Sequence, residues 1–145
     1  MTCSRAAKTL PTIADFEKYR EAFNLYGSER FDYGTSDCVL FVAKVIKHVH
    51  GVDHSSAFRY SGRPSALRMI ATFGGFSGLI DYVLGEPKQE AEDGDVVLCR
   101  VDDVGEFLGI YLQGRVIAKT QTGAIAIRPD CVERIWNATG NRASC

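Results

Sequence analysis

The residue with the clearest chemical potential is Cys38, which follows Asp37 and opens an apolar stretch with helical spacing. The first turn of a helix has unpaired N–H groups and the positive end of the helix dipole. Both can lower the pKa of a thiol placed there and so favour the nucleophilic thiolate. Cys38 is therefore the candidate catalytic nucleophile of this chain.

A general base for this cysteine is not evident among the histidines. The chain has three, His48, His50 and His54, and all lie at or just after the end of the helix that Cys38 begins. At a rise of about 1.5 Å per residue, His48 and His50 are roughly 15 to 18 Å from Cys38. We interpret them as residues that complement the negative end of the helix dipole.

The other cysteines do not form a recognisable metal or disulfide pattern. The chain has five cysteines, an odd number, irregularly spaced and without a C-x-x-C pair. We expect no metal site, no cofactor and no disulfide framework. Cys99 and Cys131 are interpreted as small buried apolar residues.

Length and composition are typical of one soluble globular domain over residues 1–145. Hydrophobic residues make up 46% of the chain, charged residues 24%, and the net charge is -1. This balance gives no broad attraction for nucleic acid or anionic lipid. The N-terminus lacks the apolar core of a secretory signal, and no apolar run is long enough to insert into a membrane. We therefore expect synthesis and assembly in the cytoplasm.

The order of elements, helices first and strands afterwards, predicts an α+β fold. Helical spacing, capping residues and glycine stops predict four helices, and strand-like runs separated by Gly-containing turns predict an antiparallel meander. The final apolar segment is either a short helix or a last strand, and a loose tail follows it. The predicted helices cover residues 15–27, 36–50, 62–73 and 77–84, the strands 96–101, 107–112, 116–119 and 124–127, the final segment 131–137 and the tail 139–145.

Three of these features together resemble the NlpC-type branch of the papain-like cysteine hydrolases. They are the pair Asp37-Cys38 before a helix, the pair Gly94-Asp95 before a strand, and the strand 108–112. The resemblance covers about residues 30–136 and implies N-terminal helices packed on a C-terminal antiparallel sheet. It also implies a histidine base at the start of the second core strand, where this chain has Phe107.

The loss of that histidine leaves no visible activating group in the sequence. Glu106 is adjacent to Phe107, but its side chain should point to the opposite face of the strand. Thr120 or Gln121 falls where the resemblance places a third, orienting polar group. With no imidazole to orient, we interpret both as turn and edge residues.

A closer resemblance, carried by the stretch 31–34, the Asp-Cys pair, the histidine-free strand and Trp136, is to an uncharacterised family encoded among tail genes of tailed bacteriophages. It implies a structural or adaptor component of the tail tip, located in the virion and assembled in the host cytoplasm. Its partners would be other tail-tip proteins and, at infection, the bacterial cell wall. An active cysteine amidase or endopeptidase acting on cell-wall peptide through Cys38 is the alternative, and a small-molecule or thioester-binding module is a weaker one.

A surface for such partners is expected in the connection after the central helix. Exposed aromatic and arginine residues are typical anchors of protein interfaces. The candidates are Phe58, Arg59 and Tyr60, with Arg63 nearby. The alternative is that this stretch only covers the helix layer.

Overall fold

Four helices precede a five-stranded antiparallel sheet in the computed structural model of the protein, which describes residues 13–103 and 105–140. The predicted α+β class is confirmed. The helices are α1 Ile13–Gly27, α2 Cys38–His50, α3 Gly62–Thr72 and α4 Phe76–Leu84, and the strands are β1 Val96–Val101, β2 Gly105–Leu112, β3 Arg115–Thr120, β4 Gly123–Ile127 and β5 Val132–Trp136. Short 3-10 turns occupy Ser55–Ala57 and Pro129–Cys131.

The sheet has the strand order β4-β3-β2-β1-β5, with antiparallel pairing throughout. The first four strands form the predicted meander. The final segment is a strand that returns to pair with β1, which resolves the choice left open by the sequence. Between β2 and β3, Gln113 and Gly114 both have positive φ, at 50° and 74°. Two such residues form the turn type that matches the twist of a hairpin.

The central helix α2 forms because its ends are capped and one face is strongly apolar. Oδ1 of Asp37 accepts the Leu40 backbone N–H at 2.9 Å, and Gly51 closes the helix with φ 75°. Phe41 and Val45 on this helix are almost completely buried. The helix packs on α1, β2 and β3, so its first residue lies against the sheet.

Three predicted helix starts shift slightly. The helix α2 begins at Cys38, two residues after the predicted position 36. Asp15 lies inside the first turn of α1, since the described helix already begins at Ile13. There it complements the helix dipole and is not the capping residue. The helix α4 begins at Phe76, with Gly75 as its cap, one residue before the predicted Ser77.

The apolar core lies on both faces of the sheet. The larger cluster fills the space between the helices and the sheet and includes Leu108 and Trp136. The second cluster lies on the other face and is formed by Val97, Cys99, Phe107, Val116 and Ala118. Partly buried residues of the flanking strands β4 and β5 pack around this second cluster.

No single helix within the described ranges is long and apolar enough to span a membrane. Among the described residues, only α3 and α4 taken together have enough length and apolar character, and these two helices are bent by 73° at their junction. Residues 1–12 and 141–145, including Cys3, Cys145 and most of the predicted C-terminal tail, lie outside the described residues.

Candidate functional site

Asp37 organises the start of the helix that carries Cys38. Its side chain is buried, and each carboxylate oxygen accepts hydrogen bonds. Oδ1 caps the helix through Leu40, as described above, while Oδ2 accepts the Gly34 N–H at 2.9 Å and the Tyr60 hydroxyl at 2.5 Å. A buried carboxylate needs such hydrogen-bond donors, because burying it without them costs roughly 2 kcal/mol or more of folding free energy. The Asp of the Asp-Cys pair therefore has a structural role.

The loop before Asp37 is also held in place by internal hydrogen bonds. The Ser36 hydroxyl donates to the Arg30 carbonyl, and the backbone N–H groups of Thr35 and Ser36 both donate to the Asp32 carbonyl. Gly34 has φ 94°, and a Cβ there would collide with the Tyr60 carbonyl. The position of Cys38 is thus fixed from the loop side and the helix side.

The thiol of Cys38 lies between the two core clusters and contacts both. Burial, together with the nearby Asp37 carboxylate, raises its pKa to about 11. Backbone amides at Leu108 and at the helix start act in the opposite direction but are outweighed. The expected lowering of this pKa by the helix dipole is therefore wrong. With a pKa near 11, only about one thiol in ten thousand is ionised at pH 7.

The strand position beside this thiol is occupied by an apolar ring. The backbone amide of Leu108 hydrogen-bonds to the Cys38 sulfur, so β2 passes next to the cysteine. The preceding residue, Phe107, is only 5% exposed and packs in the second core cluster. A phenyl ring can neither accept the thiol proton nor donate one to a leaving group.

The three histidines form hydrogen bonds with residues other than Cys38. Nε2 of His48 lies 2.9 Å from Glu21, Nε2 of His50 lies 2.8 Å from the Tyr19 hydroxyl, and Nε2 of His54 lies 2.8 Å from the Ala138 carbonyl. These contacts join α2 to α1 and the following loop to the C-terminal segment. The histidines therefore do more than complement the helix dipole.

The remaining polar candidates behave as the sequence predicted. Glu106 forms an ion pair with Arg100 at 3.0 Å on the neighbouring strand. The Thr120 hydroxyl donates to the Gly123 carbonyl in the β3–β4 turn, and Gln121 is exposed in the same turn. Among the described residues, none of the three forms a hydrogen bond with Cys38.

A small pocket opens on Cys38 from the side of α3 and α4. Its volume is about 50 Å³, which is room for one or two water molecules. Its lining is mainly apolar and includes Cys38, Tyr60, Met69, Ile70, Phe76 and Leu79. No group of His, Cys, Asp and Glu side chains within residues 13–103 and 105–140 could hold a metal ion. The pocket is too small for a peptide segment.

The predicted partner-binding residues separate into buried and exposed ones. Phe58 is 7% exposed and belongs to the larger core cluster, so its interpretation as an exposed anchor is wrong. Tyr60 is half-buried, and burial together with the Asp37 carboxylate strongly raises the pKa of its phenol. The alternative, that this stretch covers the helix layer, holds for both residues. Arg59 and Arg63 are exposed.

These two arginines lie in a region without acidic residues. No Asp or Glu occurs anywhere in residues 54–80, whereas Arg59, Arg63 and Arg68 do. All three are exposed, and none forms an ion pair with a carboxylate of the described residues. In a chain with net charge -1, this gives α3 and the segment before it a positive surface.

A buried lysine that contacts the end of α1 was missed by sequence reasoning. Lys119 is 1% exposed, and its Nζ donates to the Tyr26 carbonyl at 2.9 Å. Burial lowers the pKa of this lysine, and the Glu29 carboxylate acts in the opposite direction. The alternation of β3 was the available signal, because it places Lys119 on the same face as the partly buried Ile117.

The fold and site define an α+β domain with a half-buried cysteine at the start of its central helix, and the described residues show no hydrogen bond between this cysteine and a histidine. The profile of a family described as "Domain of unknown function (DUF6950)" matches residues 14–138. The chain belongs to this family. A comparison with curated proteins gives no match.

Proposed function

We propose that the protein is a structural or adaptor component of a bacteriophage tail tip, assembled in the host cytoplasm, whose NlpC-type papain-like domain has lost catalysis. The observation that carries the loss of catalysis is the pair of Cys38 and Phe107. The tail location rests on the sequence resemblance carried by the stretch 31–34, the Asp-Cys pair, the histidine-free strand and Trp136. The partners would be other tail-tip proteins, with the bacterial cell wall as a further contact.

This chain lacks two groups that a cysteine hydrolase needs, an ionised thiol and an imidazole. Such an enzyme needs a thiolate paired with an imidazolium, which later protonates the leaving amine. Burial holds the Cys38 thiol in its neutral form, and Phe107 replaces the imidazole. Since both the nucleophile and the proton donor are lost together, hydrolysis by another route would need a base from outside the described residues.

The residues that resemble a hydrolase are explained by packing alone. The Asp95 side chain is buried and accepts hydrogen bonds from the Lys88 ammonium at 2.6 Å and from the Glu92 backbone N–H at 2.8 Å. Gly94 has φ 94°, and a side chain there would collide with the Tyr19 hydroxyl. Both residues stabilise the turn before β1, so the fold requires the Gly-Asp pair whether or not Cys38 reacts.

The surface that best fits a partner is the positive one on α3 and the segment before it. Arg59, Arg63 and Arg68 are exposed, and Leu67 between them is 49% exposed. Arginine beside an exposed apolar residue is a composition enriched at protein interfaces. Charge complementarity favours a partner with an acidic surface.

The tail location is tested on particles made by the genome that encodes the chain. We expect the chain in purified tailed particles, at constant stoichiometry after a high-salt wash, when peptides of its sequence are quantified by mass spectrometry. Localisation of the chain in a particle map would then identify its neighbours. Its absence from washed particles would remove the structural role.

The loss of catalysis is tested with purified peptidoglycan and matched variants. The wild-type chain and Cys38→Ser should release peptide or amine groups at the same background rate, because neither has an activated nucleophile. Release by the wild-type chain that Cys38→Ser abolishes would instead support the cysteine amidase or endopeptidase. Both proteins should first be shown to have the same thermal unfolding midpoint.

A further inference from the structure

Two further thiols, those of Cys99 and Cys131, pack in the second core cluster. Cys99 in β1 is fully buried and lies opposite Val132 of β5. Cys131, the residue before Val132, is half-buried at the end of the 3-10 turn that contacts β1. Both cysteines are free, and their side chains share a hydrogen bond.

We propose that Cys99 and Cys131 are a modification site, which a low-molecular-weight disulfide such as oxidised glutathione converts into an intramolecular disulfide. The register of β1 and β5 brings the two residues together. Both side chains pack in the same apolar cluster, so the bond would form without bringing together distant parts of the fold.

The reaction proceeds by two thiol–disulfide exchanges. Cys131 loses its proton, and its sulfur attacks one sulfur of oxidised glutathione, whose S–S bond breaks and releases a first glutathione. Cys99 then loses its proton and attacks the Cys131 sulfur of this mixed disulfide, which releases a second glutathione. The two protein thiols are oxidised, and one glutathione disulfide is reduced to two glutathiones.

The order of the two steps follows from exposure. Only Cys131 reaches solvent, so it reacts first, while Cys99 is enclosed by the sheet. Burial and the hydrogen bond to Cys131 raise the pKa of Cys99 well above its ordinary value. Since the thiolate is the attacking form, ring closure should be slow at pH 7 and faster at higher pH.

The new bond would join the middle of β1 to the start of the last strand. Cross-linking residues so far apart in sequence stabilises a fold mainly by restricting the unfolded chain. In the reducing cytoplasm the thiols stay free, and in a particle released from the cell they can oxidise. This last consequence rests on the proposed function, whereas the thiol pair itself does not.

The experiment uses the full chain, incubated with oxidised glutathione at pH 8 and digested with trypsin without reductant. Mass spectrometry should show peptide 89–100 joined to peptide 120–134, with a mass about 2 Da below the sum of the two thiol forms. The thermal unfolding midpoint should rise by about 5 °C or more and return after reduction. Cys38→Ser should behave like the wild-type chain, and Cys131→Ser should show neither change.

Other products would overturn the proposal. These are a stable glutathione adduct on Cys131, a bond from Cys131 to any cysteine other than Cys99, or no change in mass. The same digest of washed particles separates the two ideas. A joined peptide in the purified chain, together with free thiols in particles, would support disulfide formation between Cys99 and Cys131. It would contradict the proposal that this disulfide forms in particles outside the cell.

Discussion

The phenol oxygen of Tyr60 lies 2.5 Å from Oδ2 of Asp37. This contact joins the segment after α2 to the first turn of the same helix. It also closes one side of the pocket that opens on Cys38. A residue expected to bind a partner is therefore part of the support of the candidate site.

Removal of the Tyr60 hydroxyl should destabilise the fold. Tyr60→Phe deprives the buried Asp37 carboxylate of one of its donors, which typically costs about 1 to 3 kcal/mol. Urea unfolding should show this as a lower midpoint with an unchanged slope. Tyr111→Phe is the matched control, since no hydrogen bond of the Tyr111 hydroxyl is seen among the described residues. Equal stability of Tyr60→Phe and the wild-type chain would contradict the role of this contact.

The buried thiol of Cys38 should make stability depend on alkaline pH. Its pKa is raised from 9.0 to about 11 in the folded state, so the neutral thiol favours folding below pH 9. Between pH 9 and 11 the unfolded chain loses this proton while the folded chain keeps it, and stability falls. The contribution to the free energy of unfolding is about 2 to 3 kcal/mol.

The comparison with Cys38→Ala separates the contribution of the Cys38 thiol from that of other groups that titrate in the same pH range. Urea unfolding at pH 8, 9, 10 and 11 should show a steeper loss for the wild-type chain than for the variant. Parallel pH dependences would mean that the thiol is not held neutral by the fold.

Introduction of a histidine at the vacated position should activate Cys38. In Phe107→His the imidazole would lie beside the sulfur and stabilise its thiolate, since an opposite charge within about 4 to 6 Å favours the ionised form. Alkylation of Cys38 by iodoacetamide at pH 7 should become at least tenfold faster than in the wild-type chain. Phe107→Leu, which keeps the position apolar, should alkylate as slowly as the wild type. An unchanged rate in a folded Phe107→His would show that position 107 does not face the thiol.

Truncation of Phe58 should destabilise the core. Phe58→Ala removes the ring of a residue that is only 7% exposed. Truncation of a buried phenylalanine to alanine costs about 3 to 5 kcal/mol of stability. Leu67→Ala, at a side chain 49% exposed, should change the free energy of unfolding by about 0.5 kcal/mol or less. Chemical denaturation of the two variants should separate them clearly. Similar small effects would place Phe58 on the surface after all.

Charge reversal at Arg59 and Arg63 should weaken partner binding without affecting the fold. Both side chains are exposed, so the double variant to glutamate should unfold within about 1 kcal/mol of the wild-type chain. Its incorporation into particles should fall at least tenfold, because like charges now face the acidic partner. Arg20→Glu, on the exposed side of α1, is the control and should be incorporated normally. Normal incorporation of the double variant would exclude this surface.

The sequence by itself determined the class of fold, the order of the four helices and first four strands, and the position of His48 and His50 at the far end of the helix that Cys38 begins. Helix periods, caps and turn residues are local signals, so the bounds of α2 and of the β2–β3 hairpin could be predicted closely. The distance of His48 and His50 from Cys38 also followed from the rise of a single helix. These conclusions needed no knowledge of which elements pack together.

Only the tertiary structure decided the environment of individual side chains. The Cys38 pKa rises because two core clusters enclose the thiol, and this burial outweighs the helix dipole on which the sequence argument relied. Phe58 and Lys119 are buried for the same kind of reason, through contacts with residues distant in the chain. Burial and the desolvation that accompanies it arise from packing between elements, and local sequence patterns do not specify that packing.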